Sequence, residues 1–133
     1  MSGAFARHPV GDYIAVPHAE QFVATETSSA TEGYYSVMLH ELTHWTGAAT
    51  RLARNLRVRF GDEAYAMEEL VAEFGAAFLC ADLGIANEPR LDHAAYISSW
   101  VKVLSKDRTA LFTAANKASV ATTYLSDFSA PRA

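Results

Sequence analysis

The sequence of 133 residues predicts one predominantly helical α+β domain, in which a short N-terminal β segment precedes about four helices. Three observations support this fold class. Hydrophobic residues make up 50% of the chain and charged residues 20%, a balance typical of a globular domain with its own core. Polar and apolar residues alternate at 11–17, and from about Gly33 onward the apolar spacing is helical. We expect residues 1–133 to form this single domain, with loose termini at 1–10 and 129–133.

The N-terminal elements are predicted from alternation and from turn-forming residues. The β segment is "GDYIAVP" at 11–17, which alternates in polarity and stops at a proline. The Ser/Thr-rich stretch "ATETSSATEG" at 24–33 predicts a loop. A first helix follows from about Gly33 to Trp45, and Gly47 is a suitable residue for a left-handed cap at its end.

Three further helices are predicted beyond this point. The second runs from about Asp62 to Leu83, with acidic residues in its first turn and Gly84 at its exit. The third spans about Asp92 to Leu104 with Asp92 as its N-cap, and the fourth spans about Asp107 to Phe128.

Composition and charge restrict the classes of function. The one cysteine, Cys80, excludes an intrachain disulfide and a Cys-rich zinc site, so a metal would have to be held by histidine and carboxylate. No apolar run reaches the roughly 18 residues of a membrane span, and the N-terminus lacks a secretory signal pattern, so we expect a cytoplasmic protein with no membrane partner. A net charge of −4 argues against a broad phosphate-binding surface, and we interpret the arginines at 51, 54, 57 and 59 as a solvated loop or helix end.

The first helix carries a candidate metal-binding motif in "YYSVMLHELTHWTG" at 34–47. His40 and His44 lie one turn apart, so both imidazoles can reach one point, which suits two corners of a tetrahedral zinc site. Glu41 lies beside them, where its carboxylate could act as general base on a water at the metal. The alternative is a surface helix with two incidental histidines. A separate apolar ridge is expected to pack into the core, formed by Tyr34, Met38, Leu42 and Trp45.

The second helix offers the missing ligand. Glu69 and Glu73 share a stripe of small apolar residues, where burying a carboxylate is costly unless it has a charged partner. A metal and its histidine would supply both partners, so we assign Glu69 as third ligand and Glu73 as the carboxylate that orients a ligand histidine through its other ring nitrogen. Glu68 is the alternative ligand. The alternative for the helix as a whole is that its glutamates face water.

The chain resembles the C-terminal zincin-like metallopeptidase domain of the ArdC-type antirestriction proteins, also described as the polyvalent-protein metallopeptidase domain of plasmids and phages. The resemblance covers about Asp12 to Leu125 and lies in three blocks, "YYSVMLHELTHWTG", "EAYAMEELVAEFGAAFLCADLGI" and the less specific "HAAYISSWVKVLSKDRTALFTAANKASVATTYL". It implies a zincin-like fold of gluzincin type. In such peptidases the first acid of an E-x-x-A-[DEN] motif binds zinc and the residue four places later supports a histidine, and "ELVAE" at 69–73 fits. These proteins also carry an N-terminal single-stranded-DNA-binding domain, so the resemblance implies DNA contact only through a separate domain absent here.

The resulting hypothesis is a zinc metallopeptidase of antirestriction type that acts on a protein or peptide substrate. One Zn²⁺ per chain would be held by His40, His44 and Glu69, with Glu41 as base. His93 and Tyr96, near the start of the third helix, are candidate donors to the oxyanion, with packing or capping as their alternative roles. Two other functions stay open, namely a zinc-stabilised protein-binding or antirestriction module that cleaves nothing, and a single-stranded-DNA-binding domain that uses the arginines at 51–59.

Overall fold

A computed structural model describes residues 12–54, 63–86 and 94–129, with the backbone alone described for 94–99. Over these ranges the chain forms four α-helices, as predicted, and one short 3₁₀ turn at Ala19–Gln21. The helices are α1 (Ala30–Trp45), α2 (Glu63–Leu83), α3 (Ala94–Lys106) and α4 (Ala110–Asp127). None of the described helices is long and apolar enough to cross a membrane.

The predicted N-terminal β segment is not formed in the described part of the chain. Residues 12–17 contain a single β-bridge residue, Ala15, and no strand occurs in the ranges given above. The alternation nevertheless corresponds to a real difference in burial, because Ile14 and Val16 are half-buried whereas Tyr13 and Ala15 are exposed. Alternation predicts an extended backbone with one packed side, but a strand also needs a neighbouring strand to pair with.

Helix α1 begins earlier than predicted because Ser29 and Glu32 form a capping box. The Ser29 hydroxyl accepts a hydrogen bond from the Glu32 N–H at 3.1 Å, and the Glu32 carboxylate accepts one from the Ser29 N–H at 3.0 Å. The end of the stretch predicted as a loop is therefore the first turn of the helix. The second oxygen of Glu32 accepts the N–H of Ala86 at 2.7 Å, which ties the chain after α2 to the start of α1.

The two helix ends predicted from glycine behave differently. Gly84 has φ of +69° and ends α2 in the left-handed conformation. The same prediction for Gly47 is wrong, since Ala53 and Gly84 are the residues with positive φ in the described chain, and the C-cap of α1 is Thr46 with φ of −62°. Arginines satisfy the last carbonyls of α1 instead: Arg54 Nη2 donates to the Thr43 oxygen and Arg51 Nε to the Trp45 oxygen, both at 2.7 Å.

Helix α2 occupies the centre of the fold and packs against the other three α-helices. Small residues let α4 approach closely, because its buried positions are all alanine: Ala110, Ala114, Ala118 and Ala121. Larger side chains of α2 surround this contact, with Val71 buried among Met67, Leu70, Phe74 and Phe78. Helix α3 is attached to α2 through the Trp100 indole N–H, which donates to the Ala66 oxygen at 2.8 Å.

The face that α1 buries is its polar face. The buried residues of this helix are Ser36, His40, Glu41, Thr43 and His44. The apolar ridge predicted as the core face is only half-buried, and Leu42 and Trp45 line an open apolar groove of about 420 Å³ beside the end of α4. The ridge thus packs only in part, and the more deeply buried face of α1 is the polar one. The polar face lies inside because Gly75 of α2 admits Thr43 closely and because the buried polar groups have charged partners, described next.

Candidate metal centre

His40 and His44 converge with Glu69 across the contact between α1 and α2. The Nε2 atom of His40 lies 3.3 Å from one Glu69 oxygen, and Nε2 of His44 lies 3.0 Å from the other. One nitrogen or oxygen of each of the three residues lies within 4.8 Å of the other two. Two ligands held about 2.1 Å from a tetrahedral ion lie about 3.4 Å apart, so these separations suit one divalent cation. A His₂Glu group also leaves a fourth position for water.

Each imidazole has a second carboxylate behind it. Nδ1 of His40 is 2.7 Å from a Glu73 oxygen, and Nδ1 of His44 is 3.2 Å from a Glu68 oxygen. A carboxylate at Nδ1 holds a proton on that nitrogen, so that Nε2 would be the atom to give up its proton and bind an ion placed between the ring and Glu69. Glu73 thus lies at the outer nitrogen of His40, and Glu68, the alternative ligand, lies on the far side of His44 from Glu69; the roles of both stay predictions.

Arg54 is a part of the site that the sequence did not predict. Its guanidinium makes a two-point contact with Glu68, with Nε to Oε2 at 3.1 Å and Nη2 to Oε1 at 2.9 Å. The side chain is 7% exposed. Its partner lies 14 residues further along the chain, so no local pattern in the sequence marks the pair.

Arg51 also has its partners within the protein. It lies 3.7 Å over the Trp45 ring and pairs with Asp12, Nη2 to Oδ1 at 2.7 Å. The interpretation of the arginine cluster as solvated is therefore wrong for Arg51 and Arg54, and neither is free to contact phosphate as the DNA-binding alternative requires. Arg57 and Arg59 lie outside the described residues.

Glu41, the predicted base, is 2% exposed and is the largest of the fully buried side chains among the described residues. It follows His40 on α1 and is one of the buried residues of that helix. Its role as base stays a prediction. His93 lies outside the described residues, and so does the side chain of Tyr96, whose backbone belongs to α3. Their predicted roles as oxyanion donors stay predictions too.

Burial and close pairing between the histidines and the carboxylates shift the pKa values of the cluster in opposite directions. Burial alone would lower the pKa of His44, but its hydrogen bonds to Glu68 and Glu69 outweigh that effect and raise the pKa to about 10. The pKa of His40 is raised in the same way by Glu69 and Glu73. Burial would raise the pKa of Glu69, yet hydrogen bonds from both histidines hold it well below its usual range. The Glu69 carboxylate is therefore charged, as is that of Glu68, whose pKa is lowered by His44 and Arg54, and protons or a cation must neutralise this charge.

Known proteins are similar to this chain in sequence. Residues 2–117 match the sequence model of a family described as zincin-like metallopeptidase. An uncharacterised protein of Sinorhizobium fredii, y4eC, is 46% identical over 110 residues, which cover 83% of this chain and 34% of that protein. The DNA primase TraC of Escherichia coli is 42% identical over 123 residues, 86% of this chain and 11% of the primase. The chain thus spans about a third or less of these relatives.

Two crystal structures of the antirestriction protein ArdC from plasmid R388 are also similar. The structure described as Mn(II)-bound matches with a TM-score of 0.80 and 38% identity over 96% of this chain and 45% of that one. The structure described as metal-free matches with a TM-score of 0.74 and 41% identity over 92% of this chain and 42% of that one. Both likenesses cover less than half of the antirestriction protein.

Proposed function

The chain belongs to the family of zincin-like metallopeptidases, and on that premise we propose that it is a zinc-dependent metallopeptidase domain of an ArdC-like antirestriction or mobile-element protein. The observation that carries the proposal is the convergence of His40, His44 and Glu69, with a carboxylate on the outer nitrogen of each imidazole. The Mn(II) described for the ArdC structure supports a divalent cation here as well. Zinc and manganese can exchange in such a ligand set, and we assign zinc, one ion per chain.

The proposed reaction is the hydrolysis of a peptide bond in a protein or peptide substrate. A bound zinc ion supplies a Lewis acid that polarises the carbonyl and lowers the pKa of its water to about 7. The carboxylate of Glu41 accepts the proton of the attacking water and returns it to the nitrogen of the leaving amine. Glu73 and Glu68 hold the ring protons of His40 and His44 at Nδ1, so that both rings present a neutral Nε2 to the ion.

Substitution of Glu41 separates metal binding from catalysis. Glu41→Gln keeps the size of the side chain and removes its basicity, so we expect full zinc content and no cleavage of fluorescein-labelled casein. Glu63→Gln is the matched control, since Glu63 lies on α2 and is exposed. Its carboxylate pairs with Lys106, 2.6 Å from Nζ, and not with a histidine. This control should retain both metal and activity. A wild-type protein that takes up no zinc, or a Glu41→Gln protein that still cleaves at the wild-type rate, would refute the proposal.

A second candidate function is favoured by the enclosure of the centre. His40, Glu41 and His44 are 3%, 2% and 5% exposed, as expected for a cation that fixes α1 against α2 in a protein-binding module. On this alternative the antirestriction effect passes through binding of a protein partner. Antirestriction measured in cells with the Glu41→Gln variant discriminates the two functions, because catalysis requires its loss and binding requires its survival.

A further inference from the structure

Arg54 connects three parts of the structure that surround His44. Besides its two contacts with Glu68, its Nη1 atom donates to the Thr46 hydroxyl at 2.9 Å and its Nη2 atom donates to the Thr43 oxygen at 2.7 Å. One guanidinium therefore joins the last turn of α1, the residue after it, and a carboxylate of α2. Four hydrogen bonds fix its plane, so the position of the Glu68 carboxylate is fixed with it.

The contact reaches the metal centre through one intermediate. The Glu68 oxygen that accepts from Arg54 Nη2 at 2.9 Å is the oxygen that lies 3.2 Å from Nδ1 of His44. Arg54 is thus two hydrogen bonds from the imidazole and makes no contact of its own with the three ligand residues among the bonds that the structure gives it. The outer carboxylate of His40, Glu73, belongs to the same helix as Glu68 but is 21% exposed, whereas the Glu68 side chain is 10% exposed.

The chain adopts a strained conformation where it brings Arg54 to this place. Ala53, directly before it, has φ of +54°, a left-handed conformation that L side chains disfavour. The turn is held by the Ala53 N–H to the Ala48 oxygen at 2.9 Å and by the Leu52 N–H to the Thr46 oxygen at 2.9 Å. The segment after α1 therefore folds back onto the end of that helix, and this path is what brings Arg54 within reach of α2.

We infer that Arg54 is a positioning residue of the metal centre, which holds Glu68 in the orientation that directs His44 at the ion. The inference rests on the proposed function only in so far as it requires the His40, His44 and Glu69 group to bind a divalent cation. Arg51 supplies the internal contrast, because it also caps α1, through the Trp45 oxygen, but has its charged partner in Asp12. Removal of either arginine takes a hydrogen bond from the end of α1. Only the removal of Arg54 also takes away the partner that holds the Glu68 carboxylate.

The test compares divalent-cation affinity in Arg54→Met, Glu68→Gln, the double variant and Arg51→Met. Zn²⁺ and Mn²⁺ dissociation constants are measured by competition with a chromophoric chelator, without substrate, and the absorption bands of the Co²⁺-loaded proteins report the ligand geometry. Loss of an outer-sphere partner typically weakens metal affinity about ten- to a hundredfold, so we expect that loss in each single variant. Arg54 and Glu68 both act on His44 through the hydrogen bond between Glu68 and Nδ1. The double variant should therefore bind metal no more weakly than the single variant with the lower affinity. Arg51→Met should bind metal within about twofold of wild type while melting earlier.

The outcomes separate this inference from the proposed function. Wild-type affinity in a folded Arg54→Met protein, or a double variant whose loss is the product of the two single losses, would overturn the role of Arg54. Arg54→Lys keeps the charge without the two-point contact, so if Arg54→Met does not fold, Arg54→Lys must show weakened affinity and a shifted Co²⁺ spectrum, and a wild-type result there overturns the inference. A wild-type protein that binds zinc but cleaves nothing refutes the peptidase activity and leaves this test intact.

Discussion

Gly75 is the residue through which the α1–α2 contact can be perturbed without touching a ligand. A Cβ placed on Gly75 would lie 2.5 Å from both Cγ2 and Oγ1 of Thr43 and 3.0 Å from its Cβ. Thr43 directly precedes His44 on α1, and Gly75 follows Glu69 on α2 by less than two turns. Any separation of the helices at this point therefore also separates the histidines from Glu69.

The size of the effect follows from these distances. Ordinary contact begins at 3.4 Å, so Gly75→Ala requires the two helices to move apart by about 0.9 Å. Metal–ligand distances tolerate only about 0.2 Å, so we expect zinc affinity to fall by about a hundredfold or more. Overpacking costs about 1–3 kcal/mol, and the better helix propensity of alanine returns about 1 kcal/mol. The metal-free variant should therefore still fold, with a small loss of stability.

The assay is a chelator competition for Zn²⁺, paired with urea unfolding of the metal-free proteins. Gly33→Ala is the matched control on α1, because its Cβ would lie 3.5 Å from the nearest Phe22 atom and should add about 1 kcal/mol of stability without changing zinc affinity. Thr43→Ala in the Gly75→Ala background removes both atoms at 2.5 Å and should restore part of the affinity. A folded Gly75→Ala protein with wild-type zinc affinity would refute the link between helix approach and metal binding.

Three further predictions concern the ligands, the pH dependence and the start of α1. Glu69→Gln should abolish zinc binding in elemental analysis, whereas Glu73→Gln should weaken it about ten- to a hundredfold, and equal affinities for the two variants would contradict the assigned roles. The pKa of His44 is raised from 6.5 to about 10, so in the metal-free protein its contribution to stability is complete below about pH 6.5 and is lost as the pH rises towards 10. Zinc affinity should rise over the same range, about tenfold per pH unit for each histidine proton displaced. Urea unfolding and zinc titration at pH 6, 7.5 and 9 check both trends. Stability and zinc affinity that do not change with pH would contradict them. Ser29→Ala removes the capping box and should cost about 1 kcal/mol in urea unfolding, with zinc affinity unchanged as the internal control.

The parts of the site that could be predicted from sequence all lie at fixed spacing on two helices. His40 and His44 are four residues apart, as are Glu69 and Glu73, and helix geometry alone puts each pair on one face. The bounds of α1 and α2 were predicted to within three residues, with the larger error at Ser29, where a capping box lies in a stretch that composition marks as a loop. Helical periodicity thus determined which side chains share a face.

What could not be predicted depends on the path of the chain between helices. Arg54 reaches Glu68 because the backbone turns back at Ala53, and nothing in the local sequence specifies a positive φ at an alanine. Hydropathy also failed to identify the buried face of α1, because it counts each polar residue as a cost and cannot count partners supplied by another helix. The ridge that ends at Trp45 therefore looked like the core face, although the histidine face is more deeply buried.

The charges around the histidines explain why such a polar face can lie inside the protein. Three carboxylates contact the two rings, Glu68, Glu69 and Glu73, and Arg54 offsets one of them, which leaves a formal charge of −2 when both imidazoles are neutral. Two histidine protons neutralise this charge, and so does one divalent cation with the histidines deprotonated. In the absence of a dication, the same negative charge attracts protons to the two rings. This is why the pKa values of His40 and His44 are raised. Metal binding at this centre is then an exchange of a dication for up to two protons, which keeps these six side chains neutral as a group in both states and makes protons the direct competitors of the ion.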